Sequence, residues 1–117
     1  MDDTQTSNNG MAHVYVLLPK HKRPRVEFVA ELADQLVERY SCSRDMEIDF
    51  CPELDNPTTL AMRLRDNPTE SFIVVCDRGA RDYFIIPVKD NPTIIQKLSI
   101  TDCSSAWQLM LQLPVEE

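Results

Sequence analysis

Apolar and polar positions along this chain fall into blocks of two periods. His13-Val14-Tyr15-Val16-Leu17-Leu18 is a β-branched, nearly continuous apolar run, the pattern of a strand covered on both faces, and Pro19 closes it. From Val26 to Tyr40 the period lengthens. Val29, Leu32, Ala33, Leu36, Val37 and Tyr40 recur at helical spacing with Glu27, Glu31, Asp34 and Glu38 between them, which predicts an amphipathic helix. Met46-Glu47-Ile48-Asp49-Phe50 alternates at period two and predicts a short strand. Ser71-Phe72-Ile73-Val74-Val75-Cys76 is a second fully buried strand pattern, and Tyr83-Phe84-Ile85-Ile86-Pro87-Val88 is a third apolar run. Only residues 77–82 separate these two. A parallel crossover needs about a dozen residues, so the pair is expected to be antiparallel. Pro87 has no N–H to donate, which places its strand at a sheet edge or ends it there.

The tetrapeptide Asp-Asn-Pro-Thr occurs at residues 55–58, 66–69 and 90–93. The unequal spacing excludes a solenoid, and local chemistry accounts for each copy. Asn caps a helix and Pro is tolerated at its first position, so Asn56-Pro57 should open a helix carrying Leu60, Ala61 and Leu64. Asn91-Pro92 should open another, carrying Ile94, Ile95 and Leu98. At Asn67-Pro68 the residue before proline leaves the α region, which ends the preceding helix. A last helix, with Thr101 or Asp102 as its expected cap, carries Ala106, Trp107, Met110 and Leu111 on one face, and Pro114 stops it. The order is β-α-β-α-β-β-α-α. It predicts an α/β fold: a small layered sandwich on a mixed, mostly parallel sheet of about four strands with right-handed crossovers. Residues 1–11 read as a disordered tail and residues 12–115 as a single domain.

Charge changes the picture. The chain carries 12 Lys and Arg against 19 Asp and Glu, a formal net charge of -7, which argues against a general nucleic-acid or anionic-membrane coat. No apolar run approaches the roughly 20 residues of a membrane-spanning helix. The acidic start Met1-Asp2-Asp3-Thr4-Gln5 lacks the basic and apolar stretches of a signal peptide, so an intracellular location, nuclear or cytoplasmic, is expected. Cys42, Cys51, Cys76 and Cys103 form no C-x-x-C pair, and only His13 and His21 are present to join them, so no metal is expected. Gly10 and Gly79 are the two glycines, too few for a phosphate-cradling or dinucleotide loop, so no cofactor is expected. Cys76, at a strand end beside Arg78, reads as a buried structural thiol rather than a nucleophile. Asp45, Glu47 and Asp49 read as a solvated sheet face. No catalytic residue is assigned, and an enzyme is not expected.

The residues that stand out are basic. Lys20, Lys22, Arg23 and Arg25 share the loop after the first strand, and Arg78 and Arg81 share the loop after the Phe72 strand. If those strands are parallel neighbours, half of the 12 basic residues meet at the strand-end edge where open α/β sheets bind ligands. Cations at a helix start oppose the helix dipole, and a chain that tolerates them there has a place for an anion: phosphate, RNA backbone or an acidic partner segment. The competing readings are a solvated loop paired with Asp77, Asp82 and the helix acids, and a nuclear-import signal. Trp107, Met110, Leu111 and Val115 form a second candidate surface, a protein interface, against the alternative that Trp107 seals the core.

Two resemblances bear on function. His13–Leu18, Val26–Tyr40, Met46–Phe50, Leu60–Asn67 and Phe72–Cys76 together look like the anticodon-binding domain of class II aminoacyl-tRNA synthetases, and more particularly its stand-alone non-catalytic versions, such as the one in a nuclear-receptor coactivator. That resemblance implies RNA recognition through the basic edge. Glu70-Ser71-Phe72-Ile73-Val74-Val75-Cys76-Asp77-Arg78-Gly79 resembles the second conserved box of SEFIR domains, relatives of the TIR fold, which implies a signalling adaptor. The expectation taken forward is a non-catalytic domain that associates with a protein partner or forms a homodimer, with RNA binding and an adaptor role as alternatives.

Overall fold

The computed structural model describes residues 11–112. Its elements are β1 (Ala12–Leu17), α1 (Phe28–Tyr40), β2 (Met46–Asp49), α2 (Pro57–Asp66), β3 (Ser71–Cys76), β4 (Tyr83–Pro87), α3 (Thr93–Ile100) and α4 (Ala106–Gln112), with short 3-10 turns at Pro52–Asp55 and Val88–Asp90. The expected order is the observed one, and the fold is α/β. The tail expected over residues 1–11 lies, but for Met11, outside the described residues, as do Leu113, Pro114 and Val115.

The sheet runs β2-β1-β3-β4. β1 is parallel to β2 through Val14 opposite Ile48, and parallel to β3 through Val16 opposite Val74. β4 is antiparallel to β3, with Cys76 opposite Tyr83, as the short connection requires. It is an edge strand and ends at Pro87, so the missing N–H breaks no ladder. The chain steps from β1 outward to β2, then back across β1 to β3. Right-handed crossovers in opposite directions put α1 and α2 on opposite faces of the sheet. Two cores result. Val14, Val16, Phe72, Val74 and Cys76 pack against Phe28, Leu32 and Leu36 of α1. Tyr15, Leu17, Ile73, Val75 and Ile86 pack against Leu60 and Leu64 of α2, Ile94 and Leu98 of α3, and Trp107 and Met110 of α4. β3, flanked by strands and covered on both faces, is buried at every position.

The Asn-Pro pairs act as expected, with one difference. Asn56 Oδ1 accepts the Thr59 N–H at 3.1 Å, and Pro57 begins α2. α2 ends before Asn67. At the third pair, Pro92 takes the cap position of α3, and the Asn91 amide turns back to donate to the Pro87 carbonyl at 3.1 Å.

Two helix readings are corrected. α1 begins at Phe28, and its inward stripe is Phe28, Leu32 and Leu36, four residues apart; Val29 is 44% exposed, and Ala33 and Val37 are half-buried. One helix laid over this face buries one narrow stripe, so the second apolar stripe stays at its flank. α4 is capped neither by Thr101 nor by Asp102. Thr101 Oγ1 accepts the Cys103 N–H, while Ser105 Oγ accepts the Gln108 N–H at 3.2 Å. Asp55, from the turn after β2, accepts both the Ser105 hydroxyl and the Trp107 N–H at 2.9 Å. A carboxylate 52 residues away in sequence thus completes the N-terminus of α4.

Candidate functional site

The parallel pairing of β1 with β3 sends both basic loops off the same edge of the sheet, with Leu17 opposite Val75 just before the chains diverge. The connection from β1 leaves for the face covered by α1, while β3 turns straight back into β4, so the two loops stand side by side at the C-terminal ends of the parallel strands, the edge where α/β sheets bind ligands. Lys20, Lys22, Arg23, Arg25, Arg78 and Arg81 are all exposed there.

The first loop turns sharply after Pro19. Lys22 N–H donates to the Pro19 carbonyl at 3.1 Å, and His21 takes a left-handed φ of 65°. The turn leaves Lys20, His21, Lys22 and Arg23 facing solvent. Arg25 is placed differently. Its Nη2 lies 2.6 Å from Glu31 Oε1 and its Nη1 3.7 Å from Glu27 Oε1, so two acids of the α1 start hold it. For Arg25 the paired-loop reading is therefore the observed one. No such ion pair to a described residue is formed by Lys20, Lys22, Arg23 or Arg81.

The second loop is closed by its own first residue. Asp77 Oδ1 accepts the Arg81 N–H at 2.8 Å, and the neighbouring amides of Asp82, Gly79 and Ala80 also favour its charged form. These backbone donors hold its carboxyl below the usual range. Ala80 N–H donates to the Asp77 carbonyl, and Ala80 itself takes a left-handed φ of 57°. Arg78 lies with its guanidinium carbon 5.6 Å from the centre of the Trp107 ring, a cation–π stack.

Trp107 is 6% exposed and donates its indole N–H to the Cys76 carbonyl at 2.7 Å. It seals the core and pins the end of β3 to α4. Met110 is fully buried, Leu111 is half-buried, and Val115 lies outside the described residues. The apolar face expected as an interface is thus turned onto the chain's own sheet, because that is the largest apolar surface α4 can reach.

Three further features were not foreseen. Val26, in the basic loop, is 94% exposed. The Tyr83 hydroxyl accepts the Gln35 amide at 2.9 Å while its ring meets Phe28 edge-on at 5.0 Å, which ties α1 to the start of β4. Asp55 caps α4 as described. No local signal marks the last two, since each joins residues far apart in sequence.

The acids of β2 each lie beside a basic side chain of another element. Glu47 lies 3.3 Å from His13 Nδ1 across the β1–β2 pairing, and Asp49 pairs with Arg63 at 3.5 Å. The four thiols are free, and burial with the nearby Asp77 charge pushes the Cys76 thiol up to about 11, which favours its protonated form. Among the described residues no three His, Cys, Asp or Glu side chains gather as a metal-holding group, and no helix is long and apolar enough to cross a membrane. No family model, curated protein or solved structure matches this chain.

Proposed function

We propose that this chain is a non-catalytic interaction domain that receives an acidic segment of a protein partner on the β1/β3 strand-end edge. The observation that carries the reading is the parallel β1–β3 pairing, which gathers six cations from two loops separated by the whole of α1, β2 and α2. Against them the same loops hold three carboxylates, Glu27, Asp77 and Asp82, so the edge is locally positive on a chain of net charge -7. An acidic chain with one basic edge orients an acidic partner, because the rest of its surface repels it.

The test is a calorimetric titration with a glutamate-rich peptide, using the wild type and a variant carrying Lys22→Glu, Arg23→Glu and Arg81→Glu. The wild type should bind, with affinity falling as salt rises, and the folded variant should not. Equal binding by both removes the edge from the function.

A further inference from the structure

The geometry points to a more specific ligand for this edge: an acidic peptide with an apolar residue among its carboxylates, and neither a terminal phosphate nor an RNA strand. The inference rests on the edge reading above and asks what the edge still has available to bind with.

Loops at this position of an α/β sheet hold phosphate through converging backbone N–H groups and a helix N-terminus. Here the loop amides are taken by the chain's own carboxylate, and the helix start is flanked by acids. In the β3–β4 loop, Asp77 already takes the Arg81 N–H at 2.8 Å and faces the amides of residues 79, 80 and 82. An incoming phosphate meets a fixed carboxylate where it needs donors. At the start of α1, the Phe28 N–H donates to the Arg25 carbonyl at 3.0 Å, and Glu27 and Glu31 flank the turn. The charged donors that face solvent and form no ion pair to a described residue are side-chain cations: Lys20, Lys22, Arg23 and Arg81. The two ammonium groups and two guanidinium forks stand on separate side chains, so each can take its own carboxylate from a row of them.

Apolar surface lies beside these cations. Val26 is 94% exposed between Arg25 and Glu27, and Val29, one turn on, is 44% exposed. A peptide whose carboxylates reach the cations can set an apolar side chain on Val26. Single-stranded RNA is held chiefly by stacking its bases on aromatic faces, with guanidinium planes as a second platform. The face of Trp107 is taken by Arg78, Tyr83 is half-buried against Phe28, and Phe84 is the single exposed aromatic among the described residues.

The test compares four probes by calorimetry at one ionic strength: a Glu-Leu peptide, a Glu-Ser peptide of equal charge, pyrophosphate, and an oligoribonucleotide of equal charge. The Glu-Leu peptide should bind about fivefold more tightly than the Glu-Ser peptide. Val26→Ser should erase that difference without weakening the Glu-Ser peptide. Pyrophosphate should bind at least about tenfold more weakly than either peptide, and Asp77→Asn, which removes the fixed charge and keeps an acceptor, should strengthen it. Circular dichroism establishes that each variant is folded. RNA or pyrophosphate binding as tightly as the Glu-Leu peptide overturns this inference and leaves the edge as a binding site, as does an unchanged peptide difference in Val26→Ser. Failure of all four probes overturns the edge reading itself.

Discussion

Trp107 joins three parts of the molecule through one side chain: its body fills the core under α4, its N–H holds the Cys76 carbonyl, and its face carries Arg78. Trp107→Ala should cost about 3–5 kcal/mol in urea unfolding, the range for emptying a large aromatic site. Trp107→Phe should cost less, because it keeps most of the packing and loses the hydrogen bond. A loss within about 0.5 kcal/mol for Trp107→Ala would show that the side chain is not part of the core. On the residue whose carbonyl it holds in place, burial and then the Asp77 charge raise the thiol of Cys76 to about 11 from an ordinary 9. The unfolded chain releases this proton near its ordinary value and the native chain retains it. The stabilisation is therefore fully present below pH 9 and is lost as pH rises towards 11, a fall on the order of 2 kcal/mol. Burial raises Tyr15 and Cys42 in the same direction. Urea midpoints followed from neutral to alkaline pH should decline, and Cys76→Ala should make that decline shallower while lowering stability at neutral pH.

At the scale of the element, α1 shows how far periodicity reaches. The repeat of Val29, Leu32, Ala33, Leu36 and Val37 marks a helix without choosing among its two apolar stripes. Packing chooses Phe28, Leu32 and Leu36, because these are the side chains that meet Val14, Val16 and Val74. Leu32→Ala should cost about 2–5 kcal/mol, and Val29→Ser should change stability by no more than about 0.5 kcal/mol. Comparable losses at both positions would contradict this orientation of α1. α4 teaches the converse. Its seven residues are too few to form a stable helix alone. Asp55 at its N-terminus and the sheet beneath Trp107 and Met110 supply what its length does not.

At the scale of the whole molecule, charge separates from fold. Lys22, Arg23 and Arg81 are exposed, so reversing them should leave urea stability within about 0.5 kcal/mol per site while abolishing binding of an acidic peptide. Arg25→Glu should behave differently, since it sets three carboxylates together where Arg25 now pairs with Glu27 and Glu31. Element types, the caps at Asn56 and the antiparallel β3–β4 hairpin follow from the sequence alone. Periodicity, proline geometry and loop length act within a few residues, so a one-dimensional reading captures them. Tertiary structure alone decides that β1 lies between β2 and β3, that two distant basic loops share an edge, that Arg25 is paired while Arg23 and Arg81 face solvent, and that the apolar face of α4 turns inward. These depend on which distant surfaces bury one another. An apolar stripe or a cation carries the same local pattern whatever it finally meets.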